Sequence, residues 1–452
     1  MTAARHATAL ALLLLAAPLA LALDPITVLT AGKVATFRAG TATRAESGRV
    51  AVAGDAALST LPDPNCPAAP FVLRLAAYPQ ATNLVEAQPE IELPCAGWKP
   101  RGRTFTYTDP TGVSGISRVV LGRDRLVVKW KGGSFVAPRG PLGYVELWLH
   151  AGGRRHLVRF HVFRRNDETL VATRKTSAAA ADGEAAFWTI LHGDDSSPAR
   201  QEDALAALEK AARKPKDGRA PFLLGMLHLY RFGQMTPDPR AISDAGRAEI
   251  DAAVAAFEQA LPLLWDADGA RGDSRVPGFV AAARYQAGRA HDDPALIARG
   301  LDELAAALEH NPLFNVFDYI VVAQAVPPDD PSFQIVIDAL DDILGGPGAT
   351  CIVDQPEICG DAGFAPRNIP GSLTLFGDLY AKAGRLPDAM RWYGIANGLA
   401  ESGDTPYRFR ELIAERIATA AARVALYQDD DPSNDPVLVG AGVETCTTCH
   451  YR

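Results

Sequence analysis

The residues best placed to do chemistry lie at the end of the chain, in the run Cys446-Thr447-Thr448-Cys449-His450-Tyr451-Arg452. Two thiols three positions apart can close a disulfide, act as a redox dithiol, or help hold a zinc ion. With an imidazole directly after the second thiol, they can also form thioether bonds to the vinyl groups of a haem, with the imidazole on its iron. A zinc site would need further ligands from distant parts of the chain. A redox dithiol usually opens a helix on a βαβ frame, and no such frame is visible here. The haem reading therefore leads. A plain disulfide between Cys446 and Cys449 is the main alternative.

Other clusters carry less. His150, His156 and His161 are close in sequence, but an odd separation puts His156 and His161 on opposite faces of a strand. They read as surface and edge histidines. Asp266, Asp268 and Asp273 share a Gly-containing loop without the alternating ligands and closing acid of a calcium loop. Asp429, Asp430, Asp431 and Asp435 read as a solvated linker. The sequence has no phosphate-cradling loop, no Gly-X-Ser-X-Gly elbow and no paired His with a Glu for hydrolysis. An electron carrier or a binding protein is expected rather than an enzyme.

The elements that position the terminal motif begin with the N-terminus. Arg5 and His6 precede an apolar run from Ala7 to Ala17, Pro18 breaks it, and Ala20-Leu21-Ala22 offers a small-residue cleavage site. Residues 1–22 read as a secretory signal peptide. Export to a bacterial periplasm or beyond is expected, and no later stretch is apolar enough for a transmembrane span. The other cysteines form two local couples, Cys66 with Cys95 and Cys351 with Cys359, and an oxidising compartment favours disulfides for both. The hydrophobic fraction of 48% is enough for a substantial core, and the net charge of −8 argues against nucleic acid as a partner.

Residues 23–174 read as β. Leu126-Val127-Val128-Lys129-Trp130 and Tyr144-Val145-Glu146-Leu147-Trp148 are rich in β-branched and aromatic residues. His156 to Phe163 alternates, with Val158, Phe160 and Val162 on one face. Ala151-Gly152-Gly153 is a hairpin turn. Many short strands separated by Gly and Pro predict an antiparallel β-sandwich. Residues 175–183, small and Ala-rich, read as a linker.

Residues 184–427 read as helical. Ser197-Pro198 is an N-cap with Pro in the first turn. Ile250, Val254, Phe257 and Leu261 form one apolar stripe, and Leu301, Leu304 and Leu308 another. Arg410 to Tyr427 is a final helix, and residues 428–452 form a tail. Within this half, Gly377, Tyr380, Gly384, Ala389, Tyr393 and Ala396 fall at the spacing of one helix-turn-helix unit. Gly225 followed by Ala253, Phe257 and Ala260 suggests a second unit, interrupted by residues 233–247. Leu304, Ala307 and Pro312 suggest a third. This pattern resembles the tetratricopeptide repeat over roughly 220–400. The resemblance implies stacked helical pairs with a concave face for a protein partner.

The terminal motif resembles the haem-attachment site of c-type cytochromes. That resemblance implies one covalent haem c, with Cys446 and Cys449 as attachment thiols and His450 as the proximal iron ligand. In small cytochrome c domains the motif lies near the start and a downstream Met completes the site; here only Tyr451 and Arg452 follow. A distal ligand would come from upstream or from another chain. The candidates are Met226, Met235, Met390, His192, His228, His291 and His310, with Met390 and His228 on repeat helices. The expectation is one-electron transfer to a protein redox partner. The alternative is a helical-repeat scaffold whose terminal cysteines form only a disulfide.

Overall fold

The computed structural model describes residues 26–28, 32–38, 47–53, 58, 61, 71–79, 86–87, 90–132, 142–151, 154–160, 162–166, 169–173, 178–191, 195–215, 218–236, 238, 241–266, 271–345, 369–402, 409–429 and 431–439. The expected signal peptide, Cys66, His161, Cys351 and Cys359 lie outside them.

The N-terminal half is built of two sheets. Its strands are β1 (Ile26–Val28), β2 (Gly32–Arg38), β3 (Ser47–Ala53), β4 (Phe71–Pro79), β5 (Glu86–Ala87), β6 (Ile91–Leu93), β7 (Trp98–Arg101), β8 (Thr104–Tyr107), β9 (Ile116–Gly122), β10 (Arg125–Lys131), β11 (Leu142–Ala151), β12 (Arg154–Phe160), β13 (Val162–Asn166) and β14 (Thr169–Thr173). One sheet runs β1-β12-β11-β4-β5, with β6 also on β4; the other runs β13-β14-β2-β3-β10-β9-β8-β7. Pairing is antiparallel except for β1, which lies parallel to β12. Alternation sets the faces: in β10, Leu126, Val128 and Trp130 are buried while Lys129 is exposed. Phe37, Val50 and Val128 from one sheet share a single core with Leu73, Leu75 and Leu147 from the other. Cys95 opens a short 3-10 turn, Cys95–Gly97.

Three expectations are corrected here. The alternating run from His156 to Phe163 is not one strand: β12 belongs to the first sheet and β13 to the second. His156 is not on an edge strand, since β1 pairs along the far side of β12, and not at the surface: it shares the strand face of Val158 and Phe160 and is 1% exposed. The linker expected over 175–183 is helical from Ala178 onward. Alanine, which made it look featureless, is also the strongest helix former.

The C-terminal half is helical. It contains α1 (Ala178–Leu191), α2 (Pro198–Ala212), α3 (Arg219–Met235), α4 (Asp244–Leu264), α5 (Val276–Ala290), α6 (Pro294–His310), α7 (Pro312–Asp318), α8 (Ile320–Ala325), α9 (Pro331–Gly345), α10 (Ile369–Lys382), α11 (Leu386–Ser402) and α12 (Arg410–Tyr427). A two-stranded ribbon, β15 (Trp265–Asp266) with β16 (Arg271–Gly272), follows α4. Ser197 caps α2 by accepting from the Arg200 amide, and Asp293 caps α6. Gly384 takes φ +77° just past α10, and Arg385 N–H reaches back to Tyr380 C=O at 2.8 Å. This left-handed residue closes α10 and turns the chain into α11.

Consecutive helices pack as pairs: α1 with α2, α3 with α4, α5 with α6 and α10 with α11. Two pairs share one packing device. A Cβ on Gly225 of α3 would meet the Phe257 ring of α4 at 2.6 Å, and one on Gly377 of α10 would meet the Tyr393 ring of α11 at 2.3 Å. In each pair a glycine lets an aromatic ring lie directly on the backbone of the first helix. Two cores run through this half, and α5 feeds both: Val280 and Ala283 enter one, Ala281 and Tyr285 the other. No helix among the described residues is long and apolar enough to cross a membrane.

Candidate functional site

Cys446, Cys449 and His450 lie outside the described residues. The structure does show where the chain leading to them is fastened. After α12 the acidic run folds into turns. The Asp429 carboxylate accepts from the Asp431 amide and from Asn434 Nδ2, both at 3.0 Å. Asp431 in turn accepts from the Ser433 amide and hydroxyl, which hold its carboxyl below the usual range. These acids build a chain reversal, as Asx turns do. The reversal brings Pro436–Val439 back onto the helices, where Leu438 and Val439 are buried in the core of α10 and α11.

Asp378 is the centre of this anchor. It follows Gly377 on α10 and its side chain is fully withdrawn from solvent. The Val439 amide donates to Oδ2 at 2.7 Å, and the Tyr393 hydroxyl donates to Oδ1 at 2.6 Å. Arg416 Nε lies 3.0 Å from Oδ1 and the Arg423 guanidinium 3.4 Å. The two arginines are seven positions apart on α12, two helical turns, and so face the same way. A buried carboxylate costs several kcal/mol of desolvation, and charge-assisted donors on both oxygens are what offset it.

The same arginines grip the tail. The Val437 carbonyl accepts from Arg423 at 3.1 Å and from Arg416 at 3.5 Å. The Tyr427 hydroxyl donates to the Pro436 carbonyl at 2.7 Å and accepts from Arg423 at 3.2 Å. Burial, and after it the Asp378 charge, raises the hydroxyls of Tyr393 and Tyr427 far above the ordinary phenol value, so both remain neutral donors. Burial works against the Arg416 charge, but Asp378 and then Glu415 outweigh it and raise its value. Beside the network, the buried Lys382 ammonium donates to the carbonyls of Ala323 (2.9 Å) and Val326 (2.6 Å) at the end of α8. Gln428 Nε2 donates to the Lys382 carbonyl at 3.0 Å, tying the end of α12 to the end of α10.

The distal-ligand candidates are dispersed. His228 on α3 is held by Glu249, with Nδ1 2.7 Å from Oε2, and Arg231 shares that carboxylate. His291 pairs with Asp251, and the His310 ring stands edge-on to Trp265 at 5.2 Å. Met226 packs against the core of α3 and α4, and the Met235 carbonyl accepts from Ser243. His192 is outside the described residues. Met390 on α11 is 39% exposed, although its apolar character suggested a core residue. It alone of the described candidates lies on the helical pair that holds the anchor. Of the weak calcium cluster, Asp273 is engaged by Arg275 at 2.7 and 2.6 Å, and Asp268 is outside the described residues.

Asp378, Arg416 and Arg423 were not singled out from sequence. A faint signal exists: Asp378 is an acid inside the apolar run Leu373 to Tyr380. No protein-family model matches the chain, and neither a curated protein nor a solved structure matches it.

Proposed function

We propose that this is an exported mono-haem electron-transfer protein, with haem c attached through Cys446 and Cys449 and His450 as proximal ligand. The donor set fits the group: two thiols at the attachment spacing and an adjoining imidazole, on a segment leading out from a fixed point at Val439. Bound there, a haem would supply a one-electron ferric–ferrous couple. The chain's own residues anchor the approach to the motif and offer a helical surface to a protein redox partner. We read the shared core of the two sheets as that of a β-sandwich. We read the helical pairs, with Gly225 under Phe257 and Gly377 under Tyr393, as tetratricopeptide-like repeats.

The observation that carries this reading is the Cys-X-X-Cys-His sequence at the end of an anchored tail. The test is the intact mass of the chain after expression with a haem c maturation system. A mass increase of one haem, resistant to denaturation and lost in Cys449→Ser, supports it. A mass without haem and a Cys446–Cys449 disulfide would instead identify a protein-binding scaffold.

A further inference from the structure

We infer that the outer face of the sheet β13-β14-β2-β3-β10-β9-β8-β7 is a docking surface for an anionic phospholipid membrane. Nothing in it depends on haem.

The net charge of −8 conceals two opposed halves. Residues 1–177 contain 22 Lys and Arg against 12 Asp and Glu, a balance of +10, and residues 178–452 contain 23 against 41, a balance of −18. Such asymmetry along a chain marks a part that binds an anionic surface. The fold concentrates the positive half on one sheet, whose eight strands, as bounded above, contain no Asp or Glu. On β10, Leu126, Val128 and Trp130 enter the core, so Arg125 and Lys129 share the opposite face. Strand pairing sets Lys129 directly opposite Arg49 of β3 on one side and Arg118 of β9 on the other. On β7, Trp98 enters the core, and Lys99 and Arg101 take the outer positions. All six cations are exposed, and among the described residues none of them has a carboxylate partner. Asp124, in the turn before β10, stands between Arg123 and Arg125. Like charges directly opposite on neighbouring strands cost stability, so folding does not call for this row.

The helical half meets the other sheet. Its β16 lies against β11, and α1 against β1. Glu146 and Trp148, on the face of β11 away from the core, are buried there. An anionic surface attracts the basic face and repels the acidic helical half, so both effects favour one orientation, with the helices turned away from the lipid.

The chemistry of the face selects lipid. A protein interface is centred on aromatic and apolar anchors, and single-stranded nucleic acid needs aromatic rings to stack on. The four strands that carry the six cations hold two aromatics, Trp98 and Trp130, and both are buried in the core. A duplex is read by a helix or a two-stranded ribbon that enters its groove, whereas this is the broad side of a sheet. Spread point charges without anchors fit a plane of phosphate headgroups, where each Lys or Arg contributes about fivefold to binding.

Cosedimentation of the full chain with mixed phosphatidylcholine–phosphatidylglycerol vesicles tests this, the readout being binding in excess of that to phosphatidylcholine alone. Wild type should bind the anionic vesicles at low salt and be released at about 1 M salt, where the screening length is about 3 Å. Arg49→Gln/Arg118→Gln/Lys129→Gln should bind about a hundredfold more weakly, with a melting temperature unchanged or raised. Lys210→Gln/Arg213→Gln/Lys214→Gln, which removes three exposed charges at the end of α2, should bind as wild type does. If the first triple variant does not fold, Lys99→Gln/Arg101→Gln takes its place, with an expected loss of about tenfold or more. No excess binding by wild type at low salt, or an equal loss in the two triple variants, would overturn the proposed surface. So would full binding by Lys99→Gln/Arg101→Gln where it stands in for the triple. Tighter binding to polyglutamate or to duplex DNA than to the vesicles at the same salt would overturn lipid as the partner.

Discussion

Asp318 and Asp378 are both removed from solvent in the helical half, and their surroundings are opposite. Asp318, at the end of α7, has Oδ2 without a hydrogen-bond partner, as does the neighbouring Asn315 Oδ1. Both oxygens crowd Gly278 of α5, where a Cβ would lie 2.2 and 2.8 Å from them. Burial pushes the Asp318 carboxyl well above the ordinary carboxylate value, and the Arg275 charge, engaged by Asp273, offsets only part of this. Asp378 instead receives a tyrosine hydroxyl, a backbone amide and two guanidinium groups. Burial alone therefore does not define an acid's role in this protein. Burial weighs against the charge of Asp318 and leaves one of its oxygens unpartnered; Asp378 holds three helices and the tail together.

The largest way to break this comparison is Asp378→Ala. It leaves Arg423 buried opposite no acid and Arg416 with Glu415 alone, and should cost about 3–5 kcal/mol in urea denaturation. A loss below about 1 kcal/mol would mean that the network contributes little.

Asp318→Asn should act in the opposite direction, because the amide keeps the shape and never ionises. In the wild type the folded-state value is raised, so the folded protein binds more protons than the unfolded chain between the unfolded value, about 4, and the raised one. That contribution is fully present below the unfolded value and is lost as pH rises, by about 1.4 kcal/mol for each unit of the window. Asp318→Asn should therefore be more stable than wild type at neutral pH and should lack this slope. Parallel slopes in denaturation series from acid to neutral pH would refute the assignment.

Gly278→Ala sharpens the same contrast. Its new methyl meets the Asp318 carboxylate, and the strain should cost about 1–3 kcal/mol. In an Asp318→Ala background the cost should shrink, because the nearer of the two crowding oxygens is gone and only Asn315 remains; an additive cycle would show that the crowding lies elsewhere. The smallest effect is that of Tyr427→Phe, about 1 kcal/mol: the Pro436 carbonyl loses its donor, while Arg423, which loses one acceptor, keeps Asp378 and the Val437 carbonyl.

Much of the architecture was legible in the sequence because it is local. The shift from alternation to helical stripes gives β elements through Thr173 and, apart from the β15–β16 ribbon, helices after it. The span Arg410 to Tyr427 matches α12, since Pro432 and Pro436 follow a continuous run of helix formers. What was not legible depends on distant partners. The change of sheet between β12 and β13 reflects which distant strands lie beside each piece, and the residue types carry no mark of it. That β12 is not an edge strand depends on β1, from more than a hundred positions earlier in the chain, pairing beside it. The Asp378–Val439 bond joins positions 61 apart, and an acid on a helix carries no mark of whether an arginine two helices later will meet it. The motif itself was plain from residue types, whereas its anchor was hidden among ordinary charged helix residues.

Pyridine haemochrome quantification of the purified full chain, expressed with a haem c maturation system, decides whether the terminal motif carries haem. One covalently bound haem per chain is expected, and none in Cys449→Ser of unchanged helical content. A wild-type chain without haem, its Cys446 and Cys449 joined in a disulfide, would contradict it.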